Sequence, residues 1–211
     1  MANDGSDKSS AGPVLVLSGS MRAQSVTDAV GRHVTAELKR AGITTTLMTM
    51  RELALPMYDP DVHGRETSVI APVLAAARAA RAMVWCTPAY HRTMSGSFKN
   101  VLDYFELLKN DRPAYLTGKA IGIIAVSGGI PASVTALTSL EFAAHALRAY
   151  VIPYTVPVPF ADKLLGEDGS IRNEGIKTRI DLLVQEIAAF LANYSDRVAR
   201  PSVMRGTATT V

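Results

Sequence analysis

The residues best suited to chemistry follow the first apolar run, in a stretch that reads SGSMRAQSVT from position 18 to 27. Gly19 permits a tight turn, the serine and threonine hydroxyls can donate hydrogen bonds, and the Arg22 guanidinium offers a fork of charged donors. A helical pattern starts directly afterwards, and free N–H groups at a helix N-terminus attract anions. The stretch suits a terminal phosphomonoester. Simple helix capping by Ser25 or Thr27, with a solvated Arg22, is an equal alternative.

Two further polar segments follow later apolar runs. TPAYHRTMSGSFKNVLDY occupies positions 87–104, and Ser-Gly-Gly occupies 127–129. A planar ligand with a polar edge needs backbone donors, which glycines leave accessible, and an apolar or aromatic wall against one face. The earlier stretch at 18–27 matches neither a Walker A loop nor a G-x-G-x-x-G fingerprint, which disfavours an ATPase or a Rossmann dehydrogenase.

The elements that must position these segments are predicted from five apolar runs, at 13–19, 43–50, 82–88, 120–129 and 150–159, separated by stretches with helical spacing. Strands alternating with helices indicate a parallel, doubly wound sheet. We therefore predict an α/β, flavodoxin-like three-layer sandwich with a five-stranded parallel sheet in the order 2-1-3-4-5. Its ligand crevice lies at the carboxyl ends of the strands, where the three polar segments converge.

The motifs in these segments resemble those of the NADPH-dependent FMN reductase family. G-S-x-R-x-x-S at 19–25 is similar to its first signature, and T-P-x-Y at 87–90 with G-x-x-K-N-x-L-D-Y at 96–104 is similar to its second. With Ser-Gly-Gly at 127–129, the resemblance covers about 13–160. It implies bound FMN, reduced nicotinamide (NADPH or NADH), and hydride transfer from nicotinamide to the flavin N5 without a catalytic acid or base.

The resemblance assigns roles to particular residues. The first loop would wrap the FMN phosphate, the second would line the flavin ring, and the third would meet its pyrimidine edge. His91 is given a binding role only. The predicted cofactor-binding residues are Ser18, Ser20, Arg22, Ser25, Val26, Thr27, Pro88, Ala89, Tyr90, His91, Ser127, Gly128 and Gly129.

Two departures from the family pattern bear on function. Ala89 stands where many members carry an acidic residue, and Ile-Pro follows Ser-Gly-Gly, a form closer to the FMN reductases that supply reduced flavin to separate sulfonate monooxygenases. In those reductases a Tyr in a helix bulge often stands where this chain has Met94. The resemblance also implies a homodimer or homotetramer, with Tyr104 and Phe105 as either interface or core residues.

The composition bears on which partners the protein binds and in which compartment it is found. The net charge is only +3 with dispersed basic residues, so nucleic-acid binding is not indicated. No apolar run approaches the length of a membrane span, and the polar start lacks the features of a secretory signal, so a cytoplasmic location is expected. Cys86, the sole cysteine, lies in an apolar run and is expected to be a buried, inert thiol. His33, His63 and His145 are too scattered to predict a metal site.

The sequence also predicts a domain organisation and a function for the chain. A flexible leader (1–12), one reductase domain (13–195) and a flexible tail (196–211) are predicted. The favoured function is an NAD(P)H-dependent reductase of free FMN, supplying a partner oxygenase or another acceptor. An enzyme with tightly held FMN that reduces quinones, azo dyes or chromate is the alternative. An electron carrier of the flavodoxin type is disfavoured, because such carriers are strongly acidic. Arg22, Arg92 and Arg112 are candidates for the 2′-phosphate of NADPH, without a means of choosing among them.

Overall fold

The computed structural model describes residues 13–63 and 65–198, which build one sheet between two helical layers. The strand order is β2-β1-β3-β5, with β6 and β7 both pairing with the outer side of β5 and all of these pairs parallel. The strands are β1 Val14–Ser18, β2 Thr45–Thr49, β3 Ala82–Tyr90, β4 Thr93–Met94, β5 Ala120–Val126, β6 Tyr150–Val151 and β7 Val156–Val158.

Seven α-helices are described around this sheet: α1 Val26–Arg40, α2 Met50–Leu53, α3 Pro60–His63, α4 Ala71–Ala79, α5 Gly96–Tyr104, α6 Ile130–Ala146 and α7 Glu174–Val198. Short 3₁₀ helices cover Phe105–Leu108 and Ala161–Lys163. None of the described helices is both long and apolar enough to cross a membrane.

The core divides into two clusters because side chains alternate across a strand. Val14 and Val16 of β1 pack with α1 and α7 on one face. Leu15 and Leu17 pack with α4, α5 and α6 on the other. Strands covered on both faces read as continuous apolar runs, which is why β3 and β5 were recognisable in the sequence.

The predicted flavodoxin-like fold and its strand order are confirmed, with two additions. The fifth predicted strand is split into β6 and β7 around Pro153, which has no N–H to donate to a sheet. The short antiparallel strand β4, which pairs with the end of β3, was not predicted.

The alternatives for Tyr104 and Phe105 are also resolved. Both side chains are almost fully buried within the chain, so they are core residues. The predicted leader (1–12) and most of the predicted tail (199–211) lie outside the described residues, whereas α7 extends to Val198. The division into leader, domain and tail stays a prediction.

Candidate functional site at the carboxyl edge of the sheet

Three loops meet at the carboxyl edge, after β1, β3 and β5. The first is anchored to the second at Gly19. The Gly19 N–H donates to the Cys86 carbonyl at 2.7 Å. The Gly19 carbonyl accepts from the Ser95 and Ser97 hydroxyls, both at 2.8 Å. The chain therefore enters the first loop through three hydrogen bonds, one to β3 and two to the segment where α5 starts.

Close packing against Phe98 leaves no room for a side chain at position 19. A Cβ at this position would lie 2.8 Å from Phe98 Cδ2 and 2.9 Å from Phe98 Cβ, closer than real contacts allow. Phe98 is itself fully buried and meets Trp85 edge to face. The backbone of the first loop thus lies directly on the aromatic core.

The first loop leads into α1 through a defined helix cap. Ser25 is the N-cap, and its hydroxyl oxygen accepts from the Asp28 N–H at 3.1 Å. The N–H groups of Val26 and Thr27 lie in the first turn, where the helix supplies no acceptor. Ser20 Oγ accepts from the Arg22 N–H at 3.2 Å, and the Arg22 side chain is exposed. The capping alternative and a phosphate site are therefore compatible, since the cap leaves donors available.

Ser18 lies in the core beneath this loop and not on its exposed surface. Its side chain is fully buried, and its hydroxyl donates to Asp28 Oδ1 at 2.5 Å. Burial raises the pKa of the Asp28 carboxyl, and the hydrogen bond from Ser18 opposes part of that rise. In this arrangement the Ser18 hydroxyl fixes the start of α1.

The second loop begins as a tight β-hairpin. Ala89 pairs with Met94 and Tyr90 pairs with Thr93, so His91 and Arg92 form the two-residue turn. Both turn residues have positive φ, 50° and 68°. This geometry belongs to the type I′ turn, which strongly favours Asn-Gly, so the His-Arg pair carries backbone strain. Sequence reasoning missed the hairpin because that signal is absent.

The side chains of the hairpin grade from buried to exposed along the chain. Pro88 is buried beside Val126 of β5, and Ala89 is half-buried. Tyr90 is 51% exposed, and His91 and Arg92 are exposed. Accordingly, the predicted ring-lining segment presents an exposed aromatic side chain and two exposed basic residues at the carboxyl edge of the sheet.

The third loop is held at its start and open at its glycines. The Ser127 N–H donates to the Val158 carbonyl at 2.9 Å, and the Ser127 hydroxyl donates to the Gly129 carbonyl at 2.6 Å. A Cβ at Gly128 would meet no heavy atom within 4 Å. These glycines therefore leave open space beside the backbone and are not required by close packing. α6 starts directly after it, with Gly129 as the N-cap.

Two further residues of this edge were assigned no role from the sequence, although Asn100 is part of the G-x-x-K-N-x-L-D-Y motif. Arg51 donates to the Met21 carbonyl at 2.8 Å and so holds the outer side of the first loop. Asn100 of α5 accepts from the Tyr58 N–H and donates to the Pro56 carbonyl, both at 2.8 Å. Both contacts join segments far apart in the chain, which is why local patterns could not indicate them.

Cys86 takes no part in the chemistry of this edge. The thiol is fully buried, its S–H points to the Thr27 carbonyl at 3.6 Å, and burial raises its pKa strongly. The expectation of a buried, inert thiol is confirmed.

Comparison with known proteins agrees with the geometry. The family model of NADPH-dependent FMN reductases matches residues 13–163. An NADPH azoreductase of Bacillus sp. (strain OY1-2) is 30% identical over 142 residues, covering 67% of this chain and 74% of that protein. An FMN-dependent NADPH-azoreductase of Staphylococcus aureus (strain USA300) is 28% identical over 187 residues, covering 85% of this chain and 95% of that protein.

Among solved structures, the flavoenzyme NAD(P)H:(acceptor) oxidoreductase FerB of Paracoccus denitrificans superposes with a TM-score of 0.70 at 18% identity, covering 87% of this chain and 98% of that one. That likeness supports the fold. The family match extends over most of the chain and includes all three loops of the carboxyl edge. The chain therefore belongs to the NADPH-dependent FMN reductase family, and it is an oxidoreductase that uses FMN and NADPH.

Proposed function

We propose that this protein is an NADPH-dependent oxidoreductase that keeps FMN bound and reduces an azo or quinone acceptor. The observation that carries the proposal is the anchored first loop, whose backbone the protein itself holds at Gly19 through three hydrogen bonds. A preformed site avoids the cost of ordering on binding, which favours tight retention of the cofactor. The relatives at 30% and 28% identity, both named as azoreductases, support the same acceptor class.

The phosphate of FMN is proposed to lie at the start of α1. The backbone N–H groups of Val26 and Thr27 and the hydroxyls of Ser20 and Ser25 donate to it, and Arg22 closes over it with its guanidinium. Ser18 supports this arrangement from below through Asp28.

The flavin ring is proposed to lie across the ends of β3 and β5. Pro88, Ala89, Tyr90 and His91 line one side. The backbone of the Ser127–Gly128–Gly129 loop donates to the polar pyrimidine edge, where it steadies developing negative charge. When bound, FMN would supply the redox chemistry that carries electrons from NADPH to the acceptor. The protein groups bind and orient, and none is assigned as an acid or a base.

Arg92 is proposed to meet the 2′-phosphate of NADPH. It lies at the exposed tip of the hairpin, at the carboxyl edge of the sheet. Arg22 is assigned to the FMN phosphate. Arg112 lies at the start of the segment leading to β5, at the opposite, amino edge of the sheet. Arg92→Ala should therefore raise the KM for NADPH and leave the KM for NADH unchanged.

A reductase of free FMN is the second candidate, supported by the Ser-Gly-Gly-Ile-Pro form of the third loop. Against it, α5 starts as a regular α-helix at Gly96, capped by Ser95, and Met94 is buried in β4. The helix bulge that accompanies flavin transfer in the sulfonate-system reductases is therefore missing from this segment.

We also propose a homodimer or homotetramer. Ile130, Val134 and Phe142 of α6 are exposed, and Phe142 is 72% exposed. Large apolar side chains this accessible on one helix are typical of an interface. Light scattering should show an oligomer that Phe142→Ser weakens, whereas a monomeric wild type contradicts the assignment.

The absorbance spectrum of the purified protein separates the two candidate functions. The protein is freed of loose ligands by gel filtration, reduced anaerobically with NADPH, and then mixed with an azo dye or a quinone. Retained flavin that bleaches with NADPH and recolours with the acceptor supports the proposal. Colourless protein that accelerates NADPH oxidation only with added FMN supports the free-flavin reductase instead.

A further inference from the structure

A second cluster of chemically active side chains lies away from the carboxyl edge, between α1 and α7. His33 and Glu37 are one turn apart on α1, and Asp181 faces them from α7. One ligand atom of each residue lies within 4.8 Å of those of the other two. His33 is seven residues beyond the start of α1, about 10 Å along its axis, so this cluster is separate from the phosphate loop.

The imidazole of His33 is not satisfied by hydrogen bonding. Its Nε2 atom is buried and has no hydrogen-bond partner among the described residues. The nearest carboxylate oxygen, Glu37 Oε1, is 3.7 Å away, too long for a hydrogen bond. Two ligands of one tetrahedral zinc ion, each about 2.1 Å from the metal, lie about 3.4 Å apart. The observed separation is therefore close to that of two ligands sharing an ion.

The neighbouring charges favour a cation at this position. Glu37 Oε2 is held by the Arg40 guanidinium, which leaves Oε1 directed at His33. Among the side chains that the structure describes, none forms an ion pair or a hydrogen bond with the Asp181 carboxylate. The two carboxylates and the one guanidinium around this imidazole leave a net charge of −1. Arg40 also orients the ligand carboxylate, as outer-sphere partners do in metal sites.

We propose that His33, Glu37 and Asp181 bind a divalent transition-metal ion of the zinc type. The imidazole nitrogen favours such an ion over Mg²⁺ or Ca²⁺, which prefer oxygen ligands alone. Three protein ligands leave one position for water. The ion links α1 to α7 and so stabilises the helical layer that carries the phosphate loop. The spacing of the three histidines could not indicate this site, because its other two ligands are carboxylates and one of them comes from a distant helix.

The test is zinc titration of the full-length protein, free of any histidine tag and treated with a chelator. Calorimetry should show one Zn²⁺ per chain. His33→Ala and Asp181→Asn should each weaken binding at least about tenfold. His145→Ala, which removes an exposed histidine from the end of α6, is the matched control and should bind as the wild type does. Zinc should raise the Tm of the wild type and this control, and leave the Tm of His33→Ala unchanged.

Several outcomes overturn the proposal. These are the absence of saturable binding to the wild type, equal affinity in His33→Ala, or loss of binding in His145→Ala. The far-ultraviolet circular dichroism of each metal-free variant establishes that it is folded. If His33→Ala fails that check, Asp181→Asn decides alone, because it replaces a carboxylate at the edge of α7 with an amide of the same shape.

Discussion

The first loop and the β3–β4 hairpin lie side by side at the carboxyl edge, yet they are built in opposite ways. The first loop is locked by hydrogen bonds to Gly19 and packs on Phe98. The hairpin tip is exposed and holds His91 and Arg92 in a strained turn. The proposed roles fit this difference, because a loop assigned to a constant phosphate can be rigid, whereas one assigned to a nicotinamide and a changing acceptor must remain accessible. Substitutions in the first loop should therefore cost stability and FMN affinity, whereas substitutions at the hairpin tip should be tolerated.

The largest effect is expected at Gly19. Gly19→Ala forces a methyl group onto Phe98 and should lower the free energy of unfolding by about 2 kcal/mol, and it should weaken FMN binding as the loop shifts. Gly96→Ala is the control, because a Cβ there meets nothing within 4 Å. Chemical denaturation measures both. Equal stability of the two variants would show that the first loop is not packed as described.

Ser95 should have the next largest effect. Its hydroxyl accepts from the Phe98 N–H and donates to the Gly19 carbonyl. Ser95→Ala removes the α5 cap and one anchor of the first loop, which should cost about 1–2 kcal/mol. Ser97→Ala removes only the other anchor and should cost about 0.5–1 kcal/mol. A larger loss of stability in Ser97→Ala than in Ser95→Ala would contradict the role of Ser95 as the main anchor of the first loop.

The hairpin should respond with a gain rather than a loss. Replacing His91 by Asn and Arg92 by Gly puts residues that tolerate positive φ at both turn positions. The lower backbone strain should raise the free energy of unfolding by about 1 kcal/mol. Arg92→Ala keeps the strained backbone and should give no gain. Thermal unfolding in the absence of NADPH measures both. A loss of stability in the double variant would mean that the turn is not strained.

Asp28 gives a smaller effect, which develops as the pH rises through the acidic range. Its pKa in the folded protein lies above the unfolded value, mainly through burial, so the folded state holds this proton more strongly. The stabilising contribution is complete below the unfolded pKa of about 3.9 and is lost as the pH rises through the folded pKa. Asp28→Asn should therefore gain stability relative to the wild type as the pH rises across this window. Parallel pH profiles of the two proteins would contradict the direction of the shift.

The sheet was predictable and parts of its edge were not, for physical reasons. β3 and β5 are buried on both faces, so their sequences are continuously apolar. The direction of the Ser18 side chain could also have been deduced, since Ser18 shares the alternating face of Val14 and Val16 that packs on α1. The hairpin could not, because His-Arg is an unusual type I′ pair. Contacts such as Arg51 with Met21 depend on the packing of segments distant in the chain.

The measurement that tests the central claim most directly compares the affinities for FMN and riboflavin in the wild type and in Arg22→Ala. The two ligands share the flavin ring and differ in the phosphate assigned to the first loop. The wild type should bind FMN at least about a hundredfold more tightly, and Arg22→Ala should lose a large part of that ratio while its riboflavin affinity is unchanged. Equal affinity of the wild type for the two ligands would contradict a phosphate site at the start of α1.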